Sequence, residues 1–126
     1  MVISNVRAMP YSPIMRPNDN GEYFWQIVDP EAGYQAEGGT DFILAHACEG
    51  KQVCIGDELR LLSVGDVIEH KGDKYEITDK QIVMKDEIQK PNIWFHDDQR
   101  IVIITCVIEG SWQDSDKNEI LIAIKP

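Results

Sequence analysis

Basic residues and long apolar segments are scarce in this sequence of 126 residues. Lys and Arg total 12 against 22 Asp and Glu, so the formal net charge is −10. Nucleic-acid phosphates and anionic membrane surfaces both attract clustered Lys and Arg, and this charge balance therefore argues against either as a partner. The longest apolar run, Ile101 to Ile108, contains Thr105 and is far too short to span a bilayer.

The patterns of a leader segment and of long helices are not recognisable in these residues either. Met1 to Pro13 lacks the apolar core of a signal peptide, which predicts either an intracellular protein or a domain separated from its targeting segment. No stretch of eleven or more residues has a convincing helical period. Hydrophobic residues nevertheless make up 43% of the chain, which is enough for the core of one compact domain.

Short segments rich in Ile and Val, separated by turn residues, dominate the sequence instead. Strands are predicted over residues 22–29, 41–47, 66–70, 74–78, 81–84, 100–108 and 119–125. Lys71-Gly72-Asp73 is typical of a hairpin turn, and residues 58–62 leave room for one helical turn. Many short strands predict an all-β fold, a closed barrel or a sandwich with short helical turns, in which the strands at 100–108 and 119–125 are buried deepest.

The first part of the chain differs from the rest in its content of helix breakers and turn residues. Pro10, Pro13 and Pro17 exclude a helix there, and a turn cluster follows at residues 18–21. Residues 1–21 are therefore interpreted as a lead-in to a single domain of residues 22–126.

Two side chains suited to nucleophilic catalysis lie near the ends of apolar strands. Cys106 comes near the end of the 100–108 strand, where a substrate can reach a thiol at the rim. His46 ends another apolar segment, between two alanines, whereas His70 and His96 are expected at the surface or in loops. A buried Cys or His is more often a packing residue. In a Cys–His pair, however, the imidazolium lowers the pKa of the thiol and can protonate a leaving amine.

The sequence around these two residues resembles the sortases. Ile103-Ile104-Thr105-Cys106 is similar to the Thr-Leu-x-Thr-Cys end of the sortase catalytic strand. Ile43-Leu44-Ala45-His46 is similar to the apolar-Ala-Gly-His element of the family, without its Gly. Each motif alone is weak evidence, because short apolar runs that end in Cys or His are common.

Two further elements between them resemble the family in the same order. Leu59 and Leu62, followed by Gly65-Asp66, are similar to a Leu-x-x-Leu-x-x-Gly-Asp stretch, and Gly72 to Ile77 is similar to a Gly-x-x-Tyr-x-Val hairpin. All four agree in order and spacing over roughly residues 34–126. A compact chain with Lys85-Asp86, Trp94 and Arg100 before the Thr-Cys element is most similar to sortases of class E or F.

The resemblance implies an eight-stranded closed β-barrel and a cysteine transpeptidase without metal or organic cofactor. Sortases cleave a sorting-signal peptide of the Leu-Pro-x-Thr-Gly type through a thioacyl-enzyme, which an amine from a cell-wall precursor or a pilin subunit resolves. Carried over to this chain, Cys106 is the nucleophile and His46 its proton-transfer partner. Ala45, Thr105 and Trp112 are then candidates for substrate binding, and the bacterial cell surface is the implied location.

One departure from the family concerns an arginine at the start of the last strand, which stabilises the oxyanion in sortases. Asn118 stands at the aligned position with Lys117 beside it, and no Arg follows Cys106. Asn118 offers a hydrogen bond without charge, and Lys117 is a candidate for supplying the charge or for binding substrate. Arg100 lies six residues before Cys106, about 20 Å away along an extended strand, which is too far to replace the arginine. A catalytically impaired sortase-fold domain that binds peptides is therefore an alternative.

Cys48 and Cys54 leave two further alternatives open. The two residues flank a short loop and would form a disulfide in an extracellular domain, whereas free thiols are the favoured expectation. Together with His46 and Cys106, they also make a three-Cys, one-His set suited to zinc. A small zinc-binding domain is the least favoured alternative, because five residues separate Cys48 from Cys54, a wider spacing than zinc knuckles use.

Overall fold

The computed structural model describes residues 1–4, 6–10, 23–29, 40–46, 54–84, 100–109 and 113–125, with the backbone alone at 106–109 and 113–117. Eight strands and one short helix lie in these ranges. In chain order they are β1 Val2–Ile3, β2 Val6–Met9, β3 Phe24–Ile27, β4 Asp41–Ala45, α1 Ile55–Arg60, β5 Val67–His70, β6 Asp73–Met84, β7 Arg100–Glu109 and β8 Gln113–Ile124.

The strands form one sheet in the order β1-β5-β6-β8-β7-β4-β3-β2, which curls into a nearly closed barrel. The prediction of an all-β, eight-stranded barrel with short helical turns is confirmed. Within the described part of the chain, no helix combines the length and apolarity needed to cross a membrane.

The hairpin predicted around Lys71-Gly72 is formed by β5 and β6, which pair in antiparallel fashion with His70 opposite Asp73. Lys71 has a φ of 53° and Gly72 a φ of 81°. Two consecutive residues with positive φ match a tight turn whose twist fits the right-handed twist of the flanking strands. Gly72 adopts this backbone without a steric penalty, which explains the turn signal in the sequence.

The three central strands β4, β7 and β8 are buried on both faces. We call the barrel interior the inner cluster; it draws on β1, on β3 to β8 and on α1, and its residues are Ile3, Phe24, Ile43, Ala45, Leu59, Ile68, Tyr75, Ile77, Ile101, Ile103, Leu121 and Ala123. The opposite face of the central strands carries the outer cluster of Ile27, Phe42, Leu44, Val102, Ile104 and Ile120. Burial on both faces explains the unbroken apolar runs that mark these strands in the sequence.

The first residues of the chain belong to the same sheet. β1 pairs in parallel with β5, and β2 pairs in parallel with β3. The segment interpreted as a lead-in thus supplies two strands. Residues 11–22 lie outside the described ranges, so the boundary at residue 21 stays a prediction.

A group of polar side chains, which we call the distal cluster, lies at the end of the barrel where β4 begins. Its members are Gln26, Asp41, His70 and Lys71. His70 Nε2 is 2.9 Å from Asp41 Oδ2, Lys71 Nζ is 3.2 Å from the same oxygen, and Gln26 Nε2 donates to Asp41 Oδ1 at 3.2 Å. Because β4 and β5 are not sheet neighbours, the bond between Asp41 and His70 ties together two separate parts of the barrel.

Burial and neighbouring charge act in opposite directions on the pKa of Asp41 in the distal cluster. Burial by itself would raise the pKa of Asp41, but the hydrogen bond to His70 and the charge of Lys71 outweigh it and hold the pKa below its ordinary value. His70 is only 1% exposed, so the expected surface or loop position of this histidine is wrong. Its carboxylate partner is the physical reason, because a buried imidazole needs a hydrogen-bond partner.

Candidate functional site

Three strand positions form a row across the sheet at the end where β4 finishes. β4 and β7 are parallel neighbours whose last paired residues are Ala45 and Thr105, and His46 and Cys106 are the next residues of the two segments. In the antiparallel pair of β7 and β8, Cys106 is the register partner of Asn118. Neighbouring strands are about 4.8 Å apart, and the backbones of His46, Cys106 and Asn118 therefore follow one another across three adjacent strands.

The residues two positions from each member of the row along its strand indicate which face of the sheet the row occupies. Leu44, Ile104 and Ile120 all belong to the outer cluster. Side chains repeat every two residues along a strand, so the alternation predicts the outer face for positions 46, 106 and 118. The side chains of His46 and Asn118 are both half-buried, which leaves each of them partly open to solvent. The side chain of Cys106 lies outside the described residues.

The sheet becomes irregular immediately beyond the row. Pairing between β7 and β8 is regular from Arg100 to Cys106 and shifts between Cys106 and Ile108. Such irregularities are frequent next to active sites, because they end the ladder and re-aim the side chains beside them. Pairing resumes at Ile108 and Glu109, so Cys106 lies three residues before the end of β7, and its position close to a rim stays a prediction.

The residues directly before His46 and Cys106 in the sequence face the interior of the barrel. Ala45 is 4% exposed and Thr105 is 2% exposed, and Ala45 packs within the inner cluster. Their predicted contribution to substrate binding stays a prediction, and it would have to come from their backbone atoms. Trp112 lies outside the described residues, and so does the side chain of Lys117, whose backbone is the register partner of Met84.

The helix α1 begins after Cys54 and lies close to the row. The Cys54 N–H donates to Asp57 Oδ2 at 2.9 Å, which satisfies one free backbone donor at the start of the helix. The Gly56 N–H donates to the carbonyl oxygen of His46 at 2.7 Å. The single helical turn expected at residues 58–62 is therefore part of an element that starts earlier and contacts the end of β4.

Cys54 corrects an expectation from the sequence. It is 2% exposed and disulfide-bonded, so the favoured expectation of a free thiol is wrong for this residue. Its partner is Cys48 or Cys106, the two other cysteines of the chain, whose side chains lie outside the described residues. Sequence spacing failed here because it does not reveal which sulfur atoms come within bonding distance.

The same disulfide bears on the zinc alternative. A zinc site takes cysteine as the thiolate, and a sulfur engaged in a disulfide has no thiolate to offer. The set of His46, Cys48, Cys54 and Cys106 therefore cannot act as a four-ligand zinc site in this state. No group of three or more metal-ligating side chains is present among the described residues.

An arginine is present near the row, but it is directed to the inner face. Arg60, the last residue of α1, places Nε 3.2 Å from Oε2 of Glu119, and Lys80 places Nζ 3.0 Å from Oε1 of the same residue. Glu119 is 4% exposed and is the register partner of Thr105, which faces the interior. Arg60 is thus paired on the face opposite to Asn118 and does not replace the expected arginine there.

Sequence reasoning missed the residues that connect α1 to this end of the barrel. Gly56 had a usable signal, since a glycine inside a helix costs about 1 kcal/mol relative to alanine and calls for a packing reason. Glu119 had one as well, because a single acidic residue stands at the start of an apolar strand. Its partners Arg60 and Lys80 come from distant parts of the sequence and had no local signal.

Comparisons with known proteins show which solved structures share this architecture. No family model matches the sequence, and no curated protein matches it. Among solved structures, sortase A from Corynebacterium diphtheriae, a lid mutant, is similar to 89% of the chain at 17% identity with a TM-score of 0.60. Sortase C-1 from Actinomyces oris is similar over 82% at 18% identity (TM-score 0.58), and Listeria monocytogenes sortase A over 82% at 12% identity (TM-score 0.56).

The match covers most of this chain and a smaller part of each solved structure. The chain spans 60%, 56% and 68% of the C. diphtheriae, A. oris and L. monocytogenes chains respectively. At identities of 12–18% these similarities concern the fold, and the assignment to class E or F stays a prediction. These similarities cover most of the described barrel, and the chain has the sortase fold.

Proposed function

We propose that this protein is a sortase-like cysteine transpeptidase that cleaves a sorting-signal peptide and transfers it to an amine. Cys106 is the nucleophile, and His46 is the proton-transfer partner. Asn118 occupies the position at which sortases carry an arginine. The reaction needs no metal or organic cofactor.

The row of positions 46, 106 and 118 is the observation that carries this proposal. The register of β4, β7 and β8 brings together a His, a Cys and a hydrogen-bond donor from three separate parts of the sequence. Chemistry of this kind needs the nucleophile and the base within hydrogen-bond reach, directly or through one water. Backbone positions at corresponding points of adjacent strands, about 4.8 Å apart, are compatible with that condition and support the proposal.

The proposed reaction proceeds through two acyl transfers. The Cys106 thiolate attacks the carbonyl carbon of the scissile peptide bond, and the carbonyl oxygen takes the negative charge, which the amide of Asn118 stabilises by donating a hydrogen bond. The C–N bond then breaks, the His46 imidazolium gives its proton to the departing amine, and a thioester remains on Cys106. The incoming amine attacks the thioester, His46 takes up its proton, and the thiolate is released with the new amide.

This chemistry requires that the Cys106 thiol be free. We therefore infer that the partner of Cys54 in the disulfide is Cys48. Peptide mapping of the non-reduced protein should recover a peptide that links Cys48 to Cys54, with Cys106 alkylated separately. A link between Cys54 and Cys106 would contradict this inference, and activity would then require prior reduction.

The direct test is capture of the acyl-enzyme. Incubation with peptides of the Leu-Pro-x-Thr-Gly type should add the mass of the acyl fragment to the peptide that contains Cys106, and hydroxylamine should remove it. Cys106→Ala should abolish both acylation and cleavage, whereas Cys48→Ala should retain them. Full cleavage by Cys106→Ala would refute the proposal.

A second candidate function is peptide binding without turnover, and the Asn118 position favours it. An oxyanion site that lacks one donor typically loses about 10²–10³ in rate, and Arg60 cannot compensate because Glu119 holds it on the opposite face. The reaction of Cys106 with iodoacetamide discriminates between the two functions. A thiol activated by His46 reacts well below pH 8, whereas an ordinary thiol with a pKa of about 8.5 does not. Peptide binding without activation of the thiol would establish the second candidate.

A further inference from the structure

The short helix α1 contacts both elements that the proposed reaction must align. The Gly56 N–H donates to the backbone carbonyl of His46 at 2.7 Å. A side chain at this position would overlap that carbonyl and also Oγ1 of Thr105, the residue directly before Cys106. The close approach of α1 to the end of β4 and to Thr105 in β7 therefore depends on the absence of a side chain at Gly56.

The rest of α1 is held in place independently of this contact. Leu59 is fully buried in the inner cluster. At the end of the helix, Arg60 is paired with Glu119. Lys80 donates to the carbonyl oxygens of Arg60 at 2.8 Å and Leu62 at 2.9 Å. Because the helix is anchored along its length, it cannot move aside easily to admit a side chain at Gly56.

We propose that Gly56 is a positioning residue that sets the placement of His46 relative to Cys106, an inference that rests on the transpeptidase function proposed above. Its N–H fixes the backbone of His46 just past the end of β4, where regular pairing with β7 has ended. Its lack of a side chain lets α1 contact Thr105 at the same time. A displacement of about 1 Å in a reacting group can cost on the order of 10²-fold in rate.

The test is the pH dependence of Cys106 alkylation in Gly56→Ala, with Glu58→Ala as the matched control. Glu58 is exposed on the same helix, so the control makes a substitution to alanine that adds no group near the row. Iodoacetamide labelling of the peptide that contains Cys106 should show that Gly56→Ala shifts the apparent pKa of the thiol towards its ordinary value of about 8.5. Acylation should fall at least about 10-fold, while Glu58→Ala retains the parent profile.

The pH profile separates positioning from simple destabilisation, since a purely structural role would lower the melting temperature and leave the profile of the folded protein unchanged. Leu59→Val is a second variant that loosens α1 without altering any charge or touching Gly56. It should shift the profile in the same direction by a smaller amount, and it decides the matter if Gly56→Ala does not fold.

The inference and the proposed function fail in different ways. A parent protein whose Cys106 has an ordinary pKa and forms no acyl-enzyme would overturn both. An active parent whose alkylation profile is unchanged in Gly56→Ala, or in Leu59→Val where the first variant does not fold, would overturn the role of Gly56 alone.

Discussion

The two ends of β4 carry two histidine environments with opposite properties. At the start of the strand, Asp41 holds His70 within the barrel, with 1% of the histidine exposed and a 2.9 Å hydrogen bond between them. Just past the other end, His46 is half-buried and follows the last residue of β4 that pairs with β7, as Cys106 follows its partner Thr105. About 16 Å of extended strand separates Asp41 from His46. One strand thus carries part of a closed polar cluster at one end and an open candidate site at the other.

The contrast shows how exposure and partners divide the roles of the two histidines. A buried imidazole that is hydrogen-bonded to a carboxylate is held in one place and contributes to stability. A half-buried imidazole beside a strand end can still exchange protons with a substrate. We therefore expect substitutions at the distal cluster to change stability and substitutions in the row to change chemistry.

The greatest change should come from exchanging each histidine for glutamine. His46→Gln should lower the rate of peptide cleavage by about 10²–10⁴, the usual contribution of a positioned acid–base group. His70→Gln should retain cleavage while it lowers the free energy of unfolding by about 1–3 kcal/mol, because it disturbs the bond to the buried carboxylate of Asp41. Single-turnover acylation and urea unfolding of both proteins measure the two effects. If His70→Gln abolished cleavage and His46→Gln lowered only the free energy of unfolding, the roles assigned to the two histidines would be wrong.

A smaller effect is expected at the position of the missing arginine. Asn118→Arg should raise the rate of acylation by about 10-fold or more, because a charged donor then stabilises the oxyanion. If Asn118 serves the oxyanion at present, Asn118→Ala should slow acylation more than Lys117→Ala does. Lys117 is the working group if its substitution costs more. Equal rates in the parent and both alanine variants would place the oxyanion partner elsewhere.

The distal cluster should make the free energy of unfolding depend on pH in the acid range. The pKa of Asp41 lies below its ordinary value of 3.8 in the folded protein. The stability that this ionised carboxylate contributes is fully present above its unfolded pKa and is lost as the pH falls through the lowered folded pKa. Asp41→Asn should be less stable at neutral pH and should lose less stability below about pH 4. Urea unfolding between pH 7 and pH 2, with Glu58→Gln as an exposed control, tests this expectation.

The least pronounced effect lies at alkaline pH and concerns Tyr75, which is 9% exposed. Burial raises the pKa of Tyr75 above 10.0, and the negative charges of Asp73 and Asp41 raise it further. The neutral phenol is therefore favoured in the folded state, and its contribution is lost as the pH rises through the raised folded pKa. Tyr75→Phe should lose less stability than the parent above pH 10 in thermal melts. An identical alkaline loss in both proteins would contradict the expectation.

Local patterns in the amino-acid sequence were enough to predict the strands from β3 onwards, the turn at Lys71-Gly72 and the order of the motifs around His46 and Cys106, but not β1 and β2, which fall in the segment interpreted as a lead-in. Strand periodicity and turn chemistry are local properties, and an unbroken apolar run such as Ile101 to Ile104 is by itself typical of a strand buried on both faces. The four motifs carried the resemblance to sortases because their spacing along the chain is itself a sequence property. The departure at Asn118 was visible at the same level, and its consequence for the rate stays a prediction.

Contacts across the barrel, in contrast, could be established only from the three-dimensional arrangement of the strands. The proximity of His46 to Cys106 depends on the pairing of β4 with β7, two strands that are distant in the sequence. The burial of His70 against Asp41 and the disulfide state of Cys54 likewise depend on contacts between residues distant in the sequence or separated by a loop. The packing of Gly56 against the end of β4 follows the same rule, since local propensity acts over a few residues whereas these contacts form only when the whole sheet has closed.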